Sequence, residues 1–164
     1  MNEELRTQRL VLRRATWADV EPMHRLLSDA TAMRFWSSLP HEKLEETETW
    51  MGSMIAAGTD ESDDFIVTLE GAVIGKLGCW RLPEVGFLFD PVVWGRGYAT
   101  EAMQAFIGRR RKEGSPELTA DVDPRNLRSI RLLERCGFVE THRAERTFNI
   151  GGEWVDSVYL TLKL

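Results

Sequence analysis

Cysteine, histidine and long apolar runs are all scarce in this sequence. Its 164 residues include two cysteines, Cys79 and Cys136, and no CxxC pair, so a disulfide framework is not expected. The three histidines are scattered and match no metal-ligand spacing, so we predict no metal. No run approaches the roughly 20 apolar residues of a membrane helix, and no apolar signal stretch follows Met1. We therefore predict a cytoplasmic protein with no membrane partner.

An excess of positive charge is also missing. The 21 Lys+Arg residues are outnumbered by 26 Asp+Glu residues, which gives a formal net charge of −5. Because phosphate affinity depends mainly on lysine and arginine, this balance argues against a nucleic-acid partner. It suits a cationic partner such as an amine better. The length predicts one domain, residues 1–164, and no linker, repeat or low-complexity tract divides it.

Apolar periodicity predicts alternating strands and helices along the chain. Helices are predicted at 18–27, 41–57, 97–112 and 126–136, and strands at 9–14, 65–69, 73–80, 84–89, 118–122, 138–147 and 153–162. The third helix has the clearest apolar stripe. Mostly antiparallel strands with helices between them predict an α/β (α+β) sandwich rather than a doubly wound sheet.

A glycine-rich segment lies between the fourth predicted strand and the third predicted helix. It reads Trp94-Gly95-Arg96-Gly97-Tyr98-Ala99-Thr100. Glycines let a ligand approach the backbone, and the free N–H groups at a helix start favour an anion, so a pyrophosphate is the expected guest. A plain strand-to-helix turn explains the same residues. The third glycine of a dinucleotide fingerprint and the Gly-Lys-Ser/Thr of a P-loop are missing, which argues against both.

A second segment runs from Asp123 to Phe138. It contains a proline turn, Asn126 as a helix cap, Ser129 three residues later, and Gly137 as a helix stop. Helix capping alone explains Asn126 and Gly137, but it requires nothing of Ser129.

Together these segments resemble the GNAT N-acetyltransferase superfamily. Gly97 and Ala99 match its phosphate loop, Arg/Gln-x-x-Gly-x-Gly/Ala, with Trp94 in place of the usual first residue, and the second segment is similar to its Asn-x-x-Ser/Ala…Gly-Phe stretch. Residues 7–13 and the strand from Glu84 to Asp90 resemble the RimJ/RimL branch, the ribosomal-protein N-terminal acetyltransferases and their relatives. The resemblance implies a strongly twisted mixed sheet whose fourth and fifth strands splay apart.

The resemblance also implies that acetyl-CoA binds in the splay. Its pantetheine is expected to pair with the free strand edge at Gly86, Phe87 and Leu88, with Gly86 as a bulge position. Asn126 is expected to hold the pantetheine amide or the thiol end, unless it serves only as a cap. The Arg96 side chain either reaches a phosphate or stays solvated. The pyrophosphate is expected on the backbone amides of the glycine-rich segment, namely Gly95, Arg96, Gly97, Tyr98, Ala99 and Thr100.

The implied reaction transfers the acetyl group to a primary amine, on a protein N-terminus or a small molecule, by direct attack in a ternary complex. Because an alkylammonium has a pKa of about 10.4, a base is needed. We predict Glu84, with Asp90 and Asp121 as alternatives; an ordinary surface carboxylate is the competing interpretation of Glu84. The leaving thiolate benefits from a proton donor. Many family members carry a tyrosine seven residues after the motif asparagine, but Leu133 stands there, so Ser129 is the predicted donor or relay.

Three further interpretations follow from the same residues. Trp80, just before Glu84, is predicted to lie near the substrate. Cys136 could suggest a covalent acetyl-enzyme, but no histidine is close in sequence and a buried packing residue is favoured. The missing tyrosine and the unusual Trp94 leave a second hypothesis open, an acyl-CoA-binding module of the same fold that catalyses nothing. The sequence is compatible with a monomer or a homodimer.

Overall fold

The computed structural model describes residues 3–164, which form one eight-stranded sheet and four α-helices. The helices are α1 (Val20–Leu27), α2 (Leu44–Ala56), α3 (Tyr98–Lys112) and α4 (Leu127–Arg135). The strands are β1 (Leu5–Arg6), β2 (Leu10–Arg13), β3 (Asp63–Leu69), β4 (Ala72–Arg81), β5 (Glu84–Phe89), β6 (Glu117–Val122), β7 (Val139–Ile150) and β8 (Glu153–Lys163). No helix among the described residues is long and apolar enough to cross a membrane.

The sheet order is β1-β2-β3-β4-β5-β6-β8-β7, and its neighbours are antiparallel except for β5 and β6. This confirms the predicted mixed, mostly antiparallel α/β fold with four helices. The additional strand is β1, where Leu5 and Arg6 pair with Leu12 and Val11. Two residues are too few to give a periodic signal, which explains why the sequence pattern missed this strand.

Local hydrogen bonds decide where the first two helices begin. Before α1, the Asp19 carboxylate accepts the Thr16 N–H at 2.8 Å, so Thr16 starts a short 3₁₀ turn that leads into the helix. Before α2, the Glu46 carboxylate accepts the Glu42 and Lys43 N–H groups at 2.6 and 2.9 Å. These bonds place the helix start at Leu44, so the prediction of a helix from residue 41 was wrong.

Two apolar cores lie on opposite faces of the sheet. Phe65 packs in the core formed with α3 and α4, which includes Phe106 and Leu133. The next residue of the same strand, Ile66, packs in the core formed with α1 and α2. Because successive side chains of a strand point to opposite faces, one apolar strand serves both cores. The sheet is therefore covered by one helix pair on each side.

The two central strands separate soon after they meet. β5 and β6 pair in register only at Glu84 and Thr119, and the Thr119 N–H donates to the Pro83 carbonyl at 3.0 Å. Beyond this point the parallel strands diverge, so the predicted splay is present. The prediction of a bulge at Gly86 was wrong. The register shift lies between Gly78 and Arg81, where β4 holds one more residue than β5 opposite it.

Candidate active site

A cavity of about 670 Å³ opens where β5 and β6 separate. Its wall combines the two strands, the glycine-rich segment before α3, the start of α4 and the loop between α1 and α2. Of the residues predicted for the site, Glu84, Arg96 and Trp80 lie outside the wall. The residues that line it are Gly86, Phe87, Leu88, Gly95, Gly97, Tyr98, Ala99, Thr100, Asn126 and Ser129.

The β5 side of the cavity is an open strand edge. On its other edge β5 pairs with β4, where Gly86, Phe87 and Leu88 oppose Gly78, Leu77 and Lys76. On the cavity side no strand among residues 3–164 pairs with β5 after Glu84. Nothing lies within 4 Å of the point where a Cβ would stand on Gly86. Backbone groups on this edge are therefore available to a ligand that forms strand-like hydrogen bonds.

The start of α3 forms another part of the wall. Gly97 precedes the helix with φ of 81°, and Gly95 has φ of 77°, a left-handed conformation that favours glycine at both positions. The first helical hydrogen bond runs from the Glu101 N–H to the Gly97 carbonyl at 3.0 Å. The N–H groups before Glu101 in this turn therefore lack helical partners and carry the positive end of the helix dipole. This geometry suits an anionic group.

Residues from the N-terminal segment fix this turn in place. The Glu101 carboxylate accepts hydrogen bonds from the Thr7 hydroxyl at 2.6 Å and from the Arg9 N–H and Nε at 2.9 and 2.7 Å. Although burial would raise the pKa of Glu101, these hydrogen bonds lower it. Arg9 also donates to the Arg96 carbonyl at 3.0 Å and lies 4.4 Å from the centre of the Tyr98 ring. No local motif marks Arg9 and Glu101 as partners, because more than ninety residues separate them.

Asn126 and Ser129 have polar atoms to spare at the start of α4. The Asn126 Oδ1 accepts the Ser129 N–H at 3.3 Å, which confirms the predicted cap. Within residues 3–164 the structure gives no hydrogen bond to the Asn126 Nδ2 or to the Ser129 hydroxyl, although both residues line the cavity. Capping thus uses one half of the Asn126 amide and leaves its donor for a ligand.

Two carboxylates lie at the closed end of the splay. Glu84 is exposed there. Asp121 lies in the cavity wall, two residues along β6 from Thr119, which is the residue that pairs with Glu84. Partial desolvation and the charge of Asp121 raise the pKa of Glu84, while Arg81 opposes the rise. Desolvation also raises the pKa of Asp121, against a hydrogen bond from Ser157. A raised carboxyl pKa close to a cavity is typical of functional sites.

The other candidates have different surroundings. Asp90 caps a short turn by accepting the Val92 N–H at 3.0 Å, and it lies 3.4 Å from Arg25, so its carboxylate is already engaged. Trp80 is 55 % exposed on β4. Cys136 ends α4 outside the cavity wall, and burial raises the pKa of its thiol, which disfavours a nucleophile. None of these three belongs to the wall of the cavity.

Trp94 is held by contacts on both sides. Its Nε1 donates to the Phe89 carbonyl at 3.0 Å, and the Arg128 guanidinium lies 4.5 Å from the centre of its ring. Trp94 thus joins the end of β5 to α4 across the cavity mouth. Arginine side chains are frequent around the cavity, and those in its wall are Arg34, Arg125, Arg128 and Arg135. The local net charge therefore differs from the negative charge of the whole chain.

Known proteins resemble this chain in sequence. A family model described as the acetyltransferase (GNAT) domain matches residues 9–139. An uncharacterized N-acetyltransferase of Bacillus subtilis, YnaD, is 26 % identical over 164 residues, which cover 95 % of this chain and 94 % of YnaD.

Solved structures agree in fold. A GNAT-family acetyltransferase from Bacillus anthracis superposes with a TM-score of 0.85 at 25 % identity, over 98 % of both chains. The ribosomal L7/L12 α-N-protein acetyltransferase RimL, solved with coenzyme A, gives a TM-score of 0.88 at 18 % identity, over 99 % of this chain and 98 % of RimL. At the lower identity the likeness shows the fold alone.

Proposed function

The chain belongs to the acetyltransferase (GNAT) domain family, and on that premise we propose that it transfers the acetyl group of acetyl-CoA to a primary amine by direct attack in a ternary complex. One observation carries the proposal. A single cavity joins an open strand edge, an anion-seeking helix start and Asp121, a carboxylate with a raised pKa, and Glu84 lies next to Asp121 just outside the cavity wall. These three features match the amide-rich arm, the phosphates and the amine acceptor of such a reaction.

The cavity fits acetyl-CoA at both ends of the molecule. The open edge of β5 at Gly86 to Leu88 offers strand-like hydrogen bonds to the pantetheine amides, and no atom blocks Gly86. The free N–H groups around Gly97 suit a pyrophosphate. A Cβ on Gly95 would meet nothing within 4 Å, so the turn is open on that side. Arg96 is exposed and outside the wall, which favours a solvated side chain over a phosphate contact.

Glu84 is the proposed base. Acetyl-CoA supplies an activated thioester, but an ammonium ion cannot attack it, because the nitrogen has no free lone pair. Glu84 takes one proton from the ammonium, directly or through water, and the neutral amine then forms the C–N bond as the C–S bond breaks. The raised pKa of Glu84 brings it nearer the working pH than that of an ordinary glutamate. The carbonyl oxygen gains negative charge and receives a backbone N–H from the open edge of β5.

Ser129 is proposed to act at the leaving sulfur. The remaining excess proton on the new amide nitrogen must leave, and the thiolate of CoA must gain one. The Ser129 hydroxyl is free within the described residues and lies in the cavity wall, so it can relay this proton or hydrogen-bond the thiolate. Asn126 adds its unused amide donor on the same side. Leu133 fills the position of the family's tyrosine and is fully buried in the core.

Thermal unfolding tests the cofactor assignment first. Acetyl-CoA at about 100 times its dissociation constant should add roughly 2.7 kcal/mol and raise the midpoint by several degrees. ATP and NAD at the same concentration are the controls and should raise it less. No rise at millimolar acetyl-CoA would overturn the assignment of the cavity.

Gly97→Val tests the glycine-rich turn, because valine disfavours the left-handed conformation that Gly97 adopts. The new side chain would also stand against Arg9, whose Nη2 lies 3.5 Å from the position of a Cβ on residue 97. We expect a folded protein that no longer responds to acetyl-CoA. Gly108→Ala, in the middle of α3 with open space around it, is the matched control. Normal acetyl-CoA binding by folded Gly97→Val would remove the turn from the site.

An amine panel tests the reaction itself. Turnover is followed as release of free CoA thiol. The acceptors are spermidine, lysine, n-butylamine and a peptide whose first residue is serine. Turnover with any of them supports the enzyme. A protein that binds acetyl-CoA and acetylates none of them would favour the non-catalytic acyl-CoA-binding module, the alternative that the missing tyrosine suggested.

A further inference from the structure

Asp121 occupies a different place from the proposed base. β5 and β6 are parallel and in register at Glu84 and Thr119, and Asp121 lies two residues further on β6. Residues two apart on a strand share a face, so Asp121 is the diagonal neighbour of Glu84 on the same side of the sheet. Glu84 is outside the cavity wall and Asp121 is part of it. A ligand in the cavity therefore meets Asp121 before Glu84.

Side chains on the neighbouring strands support Asp121. Asp121 pairs in register with Tyr159 on β8, so the two side chains lie side by side. Tyr159 stacks on His142 of β7, with ring centres 4.3 Å apart. Ser157, two residues along β8 on the same face, is 1 % exposed, and its hydroxyl opposes the rise in the pKa of Asp121.

The Ser157 hydroxyl is itself fixed by a second hydroxyl. Thr147 on β7 lies 2.6 Å from it, and the Thr147 hydroxyl donates to the Val155 carbonyl at 3.3 Å. Each hydroxyl has one proton, so Ser157 donates to Thr147 while Thr147 donates to Val155. When Thr147 donates to Ser157 instead, the Ser157 proton is left for the Asp121 carboxylate. Buried hydroxyls arranged in this way orient an ionised acceptor rather than neutralise it.

We propose that Asp121 binds the ammonium group of the acceptor and, together with Glu84, forms a two-carboxylate seat for it, with Ser157 as the positioning residue. The inference rests on the proposed function and names its substrate class, a cationic alkylamine. Tyr159 lies beside Asp121, with one face of its ring covered by His142. The groups that face the seat are Arg81 of β4, Glu84 of β5, Tyr159 and Ser157 of β8, and His142 behind Tyr159.

The seat gives each proton a destination. The acceptor enters as R–NH₃⁺ against two carboxylates, and one proton passes to Glu84 and then to solvent. The amine nitrogen forms its bond to the acetyl carbon, the C–S bond breaks, and the second proton goes to the sulfur of CoA. Asp121 keeps its charge throughout, which stabilises the cation while it binds. The net products are the acetylated amine, CoA thiol and one released proton.

The deciding experiment uses carbon-13 NMR of the side-chain carboxyl groups in the CoA-bound protein. The probe is n-butylammonium chloride at pH 7, and n-butanol is its neutral control. We expect saturable shifts at Asp121 and Glu84 with butylammonium and none with butanol. The Glu117 carboxyl, at the other end of β6 and paired with Lys163, is the internal control and should not shift. Absence of a saturable shift at Asp121 in the wild-type protein overturns the proposal.

Asp121→Asn is the first variant. We expect the butylammonium dissociation constant to rise about tenfold or more, since a charge-assisted hydrogen bond is lost. In the same variant the Glu84 carboxyl should titrate at lower pH than in the wild type, because the neighbouring charge that raises its pKa is gone. The shift of the Glu84 titration reports that the two carboxylates are neighbours, and a purely structural role of Asp121 would leave the butylammonium dissociation constant unchanged. An unchanged titration midpoint contradicts the shared seat.

Ser157 is tested by a pair of variants. Ser157→Ala removes the hydroxyl and should weaken butylammonium binding by roughly threefold to tenfold, whereas Ser157→Thr restores the hydroxyl and should recover most of it. Equal binding in both variants would remove Ser157 from the proposal.

The proposed function fails by a different route. It fails if acetyl-CoA does not stabilise the wild-type protein or if the wild-type protein gives no turnover with the panel, whereas the proposal for Asp121 fails on the butylammonium titration.

Discussion

Two aspartates of this protein, the buried Asp63 and the half-buried Asp121, have different surroundings. Asp63 is 1 % exposed, and three guanidinium groups surround it. Its oxygens accept from Arg14 at 2.8 Å, Arg109 at 2.9 Å and Arg110 at 2.8 Å. Burial alone would raise the pKa of Asp63, but these hydrogen bonds lower it. Asp63 thus ties the C-terminal end of α3 to β3 and to the segment after β2.

Asp121 and its neighbour Glu84 have no such cage. Serine is the group that opposes the raised pKa of Asp121, and Arg81 is the cation that opposes the raised pKa of Glu84. The carboxylate of Asp63 is therefore saturated with hydrogen-bond partners, whereas the carboxylates of Asp121 and Glu84 can still accept hydrogen bonds. Unsatisfied charge next to a cavity costs stability, so a fold keeps it where chemistry needs it.

Glu84→Gln should have the largest effect on rate. Removal of a general base lowers kcat by roughly 10²- to 10⁴-fold, while the thermal shift produced by acetyl-CoA should stay the same. Steady-state release of CoA thiol at saturating amine measures it, and Glu117→Gln is the control. Unchanged turnover would remove Glu84 from the mechanism.

The same variant should not destabilise the protein. A carboxyl whose pKa is raised in the folded state favours its protonated form, so its ionisation opposes folding as the pH rises through that pKa. Glutamine removes this opposition, and we expect the free energy of unfolding at pH 7 to be equal or higher. A clear loss of stability would mean that Glu84 holds the splay together.

Asp63→Asn should show the opposite behaviour. It leaves three guanidinium groups without their carboxylate, and breaking a buried ion pair costs about 3–5 kcal/mol. Urea unfolding should report this loss, and turnover at temperatures well below the midpoint should be nearly intact. Asp60→Asn, on the exposed loop before β3, is the control. A loss below about 1 kcal/mol would show that the arginines find other partners.

The pH dependence of Asp63 has a definite sign. Because its folded pKa lies below the ordinary value, its contribution to stability is complete above that ordinary value and is lost as the pH falls through the folded pKa. The wild-type protein should therefore lose stability in acid more steeply than Asp63→Asn. Equal slopes would contradict the cage.

Asn126→Ser distinguishes the two roles of the Asn126 amide, the helix cap through Oδ1 and the ligand contact through Nδ2. Serine keeps an oxygen that can cap α4, so the free energy of unfolding should change by only about 0.5 kcal/mol. It lacks the Nδ2 donor that faces the cavity, so the acetyl-CoA dissociation constant should rise by roughly threefold to tenfold. Isothermal titration and urea unfolding measure the two effects. Unchanged affinity would leave Asn126 as a cap only.

Much of the fold could be predicted because local pattern determines it. The stripe on α3 and the cap at Asn126 predicted both helices within a residue or two of their observed bounds. The glycine-rich segment predicted a turn open to an anion, because the left-handed conformation at Gly95 and Gly97 depends on the residues themselves. Ten of the thirteen predicted site residues line one cavity, while Glu84, Arg96 and Trp80 do not.

The remainder depends on contacts far apart in sequence. Phe35 and Arg34 enter the cavity wall from the loop between α1 and α2, where no motif marks them. The support of Asp121 by Ser157 follows from the register of β6 on β8, which a single strand cannot reveal. The extra residue in β4 opposite β5 is likewise a property of the pairing. Local sequence thus predicts the backbone features of the cavity, such as the glycine-rich turn, better than the side chains that distant elements bring to it.

Two histidines, His24 and His41, have a hydrogen-bond partner inside the protein, as Asp63 does. A change at His41 should have the smallest effect on stability. The Thr47 hydroxyl is 0 % exposed and lies 2.7 Å from His24 Nδ1 and 2.8 Å from His41 Nδ1. A hydroxyl has one proton, so at least one ring must donate to it while the other accepts or also donates. Burial, with the charge of His24, lowers the pKa of His41, and Glu46 opposes this. The neutral ring is therefore the form that the fold prefers.

This preference predicts a shallow acid dependence of stability. A lowered folded pKa means that the contribution of His41 is complete above its ordinary pKa of about 6.5 and is lost as the pH falls toward the folded value. Between pH 7 and 5 the free energy of unfolding should decrease, and His41→Gln should reduce the decrease by less than about 1 kcal/mol. Urea unfolding across this range measures it, because Asp63 acts only at lower pH. A slope that His41→Gln leaves unchanged would mean that the Thr47 hydroxyl tolerates two charged rings.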